Sequence, residues 1–94
     1  MTPTTPDARI AALFKRLGHP LRVGLVQALR DGPRSVGELQ QAVGASQSTV
    51  SLQLLRMRNE GIVTCHRSEA DARVMVYAMS DRRLGELIDL ARGL

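Results

Sequence analysis

The feature that most restricts this chain is a pair of short amphipathic segments joined through Val43-Gly44-Ala45-Ser46. The first opens on Ser35-Val36-Gly37-Glu38, where Ser35 can accept from the N–H three residues on and Glu38 can reach back to it. Val36, Leu39 and Val43 then recur on one side, and Gly44 stops the helix. Ser46 caps the second segment, which runs to about Glu60 with Val50, Leu54 and Met57 facing inward. Two short helices around a tight glycine-containing turn are the sequence form of a helix-turn-helix.

The flanking sequence completes the fold. Asp7, after Pro6, reads as the cap of a first helix carrying Ile10, Leu13, Phe14 and Leu17, with Gly18 as its stop. Pro20 suits the first turn of a second helix, with Leu21, Leu25, Val26 and Leu29 on its apolar side, and Asp31-Gly32-Pro33 breaks it. Beyond Glu60 the period falls from 3.6 to 2. Ile62–Arg67 and Arg73–Met79 read as strands, and the polar loop from Ser68 to Ala72 makes them a hairpin. Ser80 or Asp81 opens a last helix with Leu84, Leu87, Ile88 and Ala91 at the i, i+3, i+4, i+7 spacing. The fold class expected is mostly α with a small β-hairpin (α+β). It is a winged helix-turn-helix of five helices and a two-stranded wing, in the order ααααββα. The domain occupies 7–94 behind a disordered arm at 1–6.

Charge points to the partner. Thirteen Lys+Arg against nine Asp+Glu give a net charge of +4, which favours an anionic ligand and nucleic acid first. Phe14 and Tyr77 are the only aromatic residues. Readers of single strands need aromatic platforms for stacking bases, so duplex DNA is favoured over RNA. Cys65 is the only cysteine, which excludes an internal disulfide and fits a cytoplasmic protein. No apolar run approaches the roughly 20 residues of a membrane span, and the N-terminus has no secretory pattern.

The fourth helix carries the expected chemistry. With Val50, Leu54 and Met57 turned inward, Gln47, Ser48, Thr49, Ser51 and Gln53 are left to face DNA. Short hydroxyls and carboxamides can approach base edges there, and a glutamine can bond adenine through two contacts. Free N–H groups at the helix start favour phosphate. Arg34, Arg56 and Arg58 are the expected phosphate clamps. Arg67 and Arg73 flank the wing tip and could reach backbone phosphate or the minor groove, although Glu69 and Asp71 beside them repel it.

Three stretches together carry a family likeness: Leu17-Gly18-His19-Pro20-Leu21-Arg22, Ser35-Val36-Gly37-Glu38-Leu39, and Ser46-Gln47-Ser48-Thr49-Val50-Ser51-Leu52-Gln53-Leu54. With Glu60-Gly61-Ile62-Val63 they resemble the ArsR/SmtB family of bacterial regulators, over about Ile10 to Leu90. The resemblance implies a dimeric repressor that leaves its operator when an inducer, often a metal ion, binds. Leu52 and Leu55 depart from that pattern, where many relatives carry polar or basic residues, and Gln53 stands where His is common. The resemblance also implies metal sites that this chain does not reproduce. Ser35, Val36 and Gly37 occupy the place of a Cys-x-Cys pair, and the last helix offers Asp81, Glu86 and Asp89 without a His.

The remaining candidate ligands are His19, Cys65, His66 and Asp89. Adjacent strand residues point to opposite faces, so Cys65 and His66 cannot readily hold one ion together. A site shared between subunits could combine His19, His66 and Asp89, donors that suit nickel or zinc. Cys65 reads foremost as a small buried hydrophobe. The stripes Ile10/Leu13/Phe14/Leu17 and Leu84/Leu87/Ile88/Ala91 exceed what a domain of this size covers alone. Helices 7–17 and 81–93 are therefore expected to form a homodimer interface, setting two reading helices in successive major grooves of a palindromic operator. No nucleophile–base pair or phosphate-cradling loop has usable spacing, which excludes an enzyme. The chain is expected to be a repressor; the competing reading is a winged-helix adaptor or co-regulator that works through a protein partner, favoured by Leu52 and Leu55.

Overall fold

The computed structural model describes residues 5–94; of the arm expected at 1–6, residues 1–4 lie outside the described residues. Helix α1 spans Pro6–Leu17, α2 Pro20–Ala28, α3 Val36–Val43, α4 Gln47–Asn59 and α5 Arg83–Arg92. Strands β1 (Arg34–Ser35), β2 (Val63–Arg67) and β3 (Met75–Met79) form one antiparallel sheet in the order β1-β3-β2. The helices and the hairpin stand in the order expected.

Local chemistry sets the ends of these elements. Thr5, not Asp7, caps α1: its Oγ1 accepts from Ala8 N, and Pro6 takes the first turn, where its missing N–H costs nothing. Ser35 and Glu38 form the reciprocal capping box at α3, and Gly44 closes that helix with φ +68°, a left-handed conformation that favours glycine. Helix α5 starts two residues later than expected. The Asp81 carboxylate, ahead of the helix, accepts from Arg83 N and holds the entry turn.

The wing is shorter than its alternating pattern and has a third strand. Arg73 and Val74 belong to the tip, because Asp71 Oδ1 accepts from Arg73 N and Asp71 O accepts from Val74 N. Strand β1 pairs Arg34 with Tyr77 and Ser35 with Val76. Two residues carry no readable period, so this strand is invisible in the sequence. It ties the start of α3 to the wing, giving the helix-turn-helix and the hairpin a common frame.

One core unites the elements. Leu25, Val26 and Leu29 of α2, Leu39 of α3, Val50, Leu54 and Met57 of α4, and Ile62, Val63, Leu17 and Ile88 are all buried. Each large apolar side chain taken from water contributes roughly 1.5–3 kcal/mol. Helix α4 is thus fixed along one side only.

Candidate nucleic-acid interface

The candidate interface centres on α4. Val50, Gln53, Leu54 and Met57 are its buried residues. At about 100° per residue, the opposite stripe is Ser48, Leu52, Leu55 and Asn59. Gln47, Ser51 and Arg58 flank it on one side, and Thr49 and Arg56 on the other. Gln47, Ser48 and Thr49 are exposed, Ser51 is half-buried, and Arg56 and Arg58 are exposed.

Ser46 organises the start of this helix. Its Oγ accepts from Thr49 N at 3.3 Å, lies 2.8 Å from Thr49 Oγ1 and 3.3 Å from Ser48 Oγ. The three hydroxyls therefore form one chain at a helix end whose first N–H groups carry partial positive charge. Gln47 and Ser51 lie beside it at the N-terminal half of the helix.

Gln53 requires a correction. Expected on the DNA side, it is 8% exposed, and its Oε1 accepts from Arg22 Nε at 3.0 Å. The helical position explains this: Gln53 falls on the same side of α4 as Val50 and Met57. Arg22 also donates from Nη1 to Arg16 O at 2.9 Å and pairs with Glu60 at 2.8 Å, its side chain only 11% exposed. The buried Glu60 Oε2 receives this charge contact but no directed hydrogen bond. Arg22 thereby ties the end of α1, the middle of α4 and the residue after α4 into one part-buried polar cluster. Sequence reasoning missed this residue. The signal was present, since Arg22 is the only charged side chain in Pro20–Ala28.

The other expected cations differ in availability. Arg34, on β1, keeps 41% of its side chain exposed and lies 3.9 Å from Glu38. At the wing, Arg67 Nη1 donates to Ala72 O and closes the tip. Arg73 holds Asp71 through Nε and Nη2, each at 3.1 Å. That pairing lowers the Asp71 carboxyl and raises the Arg73 guanidinium from their ordinary values. With Glu69 beside them, the tip carries two cations and two anions, so its pull on phosphate is weak. Arg56 and Arg58 on α4 are exposed.

The metal candidates are not brought together. His19 precedes α2, in a cleft of about 390 Å³ lined also by Lys15, Arg16, Arg22 and Glu60. Cys65 lies opposite Tyr77 in the sheet, and His66 opposite Val76. Burial, then the neighbouring Cys65, pushes the Tyr77 phenol up. Asp89, on α5, is paired with Arg30, which follows α2. Among the described residues, no three His, Cys, Asp or Glu side chains form a metal-binding group within one chain.

The terminal-helix stripes divide into two layers. Leu17 and Ile88, expected between subunits, are buried in the chain's own core at 6% and 8% exposure. Leu13, Leu84 and Leu87 are half-buried against that core. Ile10, Phe14 and Ala91 remain exposed, as does Leu90. Phe14, Leu87 and Ala91, with Leu17, Gly18, Val23 and Ile88, line an apolar cleft of about 200 Å³ between α1 and α5. No helix among the described residues is long and apolar enough to cross a membrane.

Comparison with known proteins agrees with this geometry. Residues 19–64 match the family described as bacterial regulatory protein, arsR family. The chain is 37% identical over 84 residues to the HTH-type transcriptional regulator NmtR of Mycobacterium tuberculosis, covering 89% of this chain and 68% of that one. It is 38% identical over 80 residues to the biofilm growth-associated repressor of Xylella fastidiosa, covering 85% and 68%. The crystal structure of a predicted DNA-binding transcriptional regulator from Escherichia coli superposes with a TM-score of 0.80 at 32% identity, covering 93% of this chain and 90% of that one. Fold, motif and similarity converge: the chain belongs to the arsR family of bacterial regulatory proteins and is a winged helix-turn-helix transcriptional regulator, not an enzyme.

Proposed function

We propose that the chain is a homodimeric repressor that reads a specific, palindromic double-stranded operator through the N-terminal half of α4. The observation that carries this reading is the one-sided fixing of α4. Its core side is fully engaged, while Gln47, Ser48 and Ser51 stand at the open end of the helix with Arg56 and Arg58 on its flanks. Hydroxyl and carboxamide groups match base edges, and exposed guanidinium groups match the phosphates on either side.

The outer layer of the terminal helices supports the homodimer. Ile10 and Phe14 are 51% and 54% exposed, and Leu90 is 71% exposed. Pairing these faces about a two-fold axis would cover them and present two copies of α4 about 34 Å apart. Arg34 supplements the phosphate contacts, whereas Arg67 and Arg73 contribute little because the wing tip is internally neutralised.

The test is selection of duplexes from a random library by the full-length chain, then fluorescence anisotropy on the recovered sequence. Wild type should prefer the recovered duplex to a scrambled one by at least about 10³-fold. Replacing both Gln47 and Ser48 by Ala should remove most of that preference while leaving weak general binding. Equal affinity of the double variant for the recovered duplex would remove α4 as the reader.

A further inference from the structure

The outward stripe of α4 is apolar at its centre. Leu52 and Leu55 are 47% and 51% exposed, between Ser48 and Asn59. Neither belongs to the core or to the half-buried shell packed against it. Two leucines held in water on a helix fixed from behind gain by being covered, about 0.8 kcal/mol for each CH₂ removed from water.

The surroundings identify the cover. Arg58 lies on one flank of the stripe and Arg56 on the other, both exposed. Gln47, Ser48 and the free N–H groups of a 13-residue helix stand at its N-terminal end. This frame fits a surface with negative charge on both sides and apolar points along its middle. The major groove has that character: phosphates line its edges, and the thymine C5-methyl is its apolar element. We propose that Leu52, with Leu55 one turn further on, packs against thymine methyl groups, so that the chain selects thymine at the base pairs facing the middle of α4. This inference rests on the reading of α4 as the groove-reading helix.

The test uses duplexes recovered from the random library by the full-length chain. Each thymine is replaced in turn by deoxyuridine, which removes the 5-methyl group and leaves the hydrogen-bonding edge intact. Wild type should lose about fourfold in affinity for each contacted methyl, at one or two positions in each half-site. L52Q and L55Q should still bind the recovered duplex and should no longer respond to deoxyuridine at the matching position. Both side chains are exposed, so the variants should melt with wild type in circular dichroism, which keeps the comparison clean. Indifference of wild type to every replacement, or the same penalty in wild type and variants, would overturn the inference and return the leucines to an apolar protein partner. Recovery of no preferred duplex would instead overturn the reading of α4 beneath it, so the two failures are distinguishable.

Discussion

At the residue scale, Arg22 and Gly85 carry the most structural consequence. Arg22 serves Gln53, Glu60 and the Arg16 carbonyl at once. Arg22→Ala removes a largely buried cation and leaves the Glu60 carboxylate without its counter-charge. That loss should cost about 2 kcal/mol, read as a lowered urea midpoint with an unchanged m-value. Gly85 allows Arg30 to cross it: a Cβ there would clash with Arg30 Cδ. Arg30 Nη1 donates to Gly85 O at 2.7 Å and also pairs with Asp89, latching α2 to α5. Gly85→Ala should displace the arginine and break its bond to Gly85 O, a loss of about 1 kcal/mol that alanine's better helix propensity partly offsets. In a double-mutant cycle with Arg30→Ala the two losses should not add; additive losses would mean that Gly85 matters for another reason. The sequence showed Gln53 as a polar residue on a DNA-reading helix, and its burial became visible only with Arg22 opposite. A polar side chain on a core face is legible from sequence only when its partner, here 31 positions away, can be named.

At the element scale, the caps of α3 and α4 were legible, because caps act within three or four residues, whereas the starts of α1 and α5 were misplaced by one or two residues. Ser35 with Glu38, and Ser46, take the roles their spacing announces. Ser35→Ala should lower stability by about 1 kcal/mol, measured by thermal or urea unfolding. Asp81 offers a pH-dependent check. Bonds from the Arg83 side chain and backbone N–H hold its carboxyl at about 2, below the ordinary 3.8. The ionised form is therefore favoured by the fold. Its contribution is complete above pH 3.8 and is lost as the pH falls toward 2. Glu38 and Asp71 are lowered in the same direction by Ser35 and Arg73. The thermal midpoint should therefore fall with acid over that window, and more gently in Asp81→Asn than in wild type. Parallel curves would remove Asp81 as a contributor. Strand β1 and the early end of the second wing strand were not legible. Both depend on pairings made by the fold, Arg34 with Tyr77 in one case and the Asp71 turn in the other.

At the scale of the whole molecule, apolar stripes on the terminal helices were readable, but their division into layers was not. Periodicity marks Leu17 and Phe14 alike as apolar, yet Leu17 is buried at 6% and Phe14 is 54% exposed. Only the exposed layer is free to meet a second copy. Phe14→Glu should therefore leave the fold of each subunit intact and give monomers in light scattering, with the wild-type circular dichroism spectrum. A persistent dimer would move the interface away from α1. At the wing tip Arg73 pairs with Asp71, whereas Arg56 and Arg58 on α4 are exposed.

Specific reading of duplex DNA by a cationic helix makes affinity depend on salt, which a titration measures. Anisotropy of the library-selected duplex and of a scrambled duplex would be followed between about 50 and 200 mM salt. Neutralising Z phosphates gives a slope of about −0.9Z in the logarithm of affinity against the logarithm of salt. With three arginines in each of two subunits engaged, the slope should be near −5, with the selected duplex bound more tightly throughout. Affinity that ignores salt, or that is the same for both duplexes at every concentration, would contradict the account.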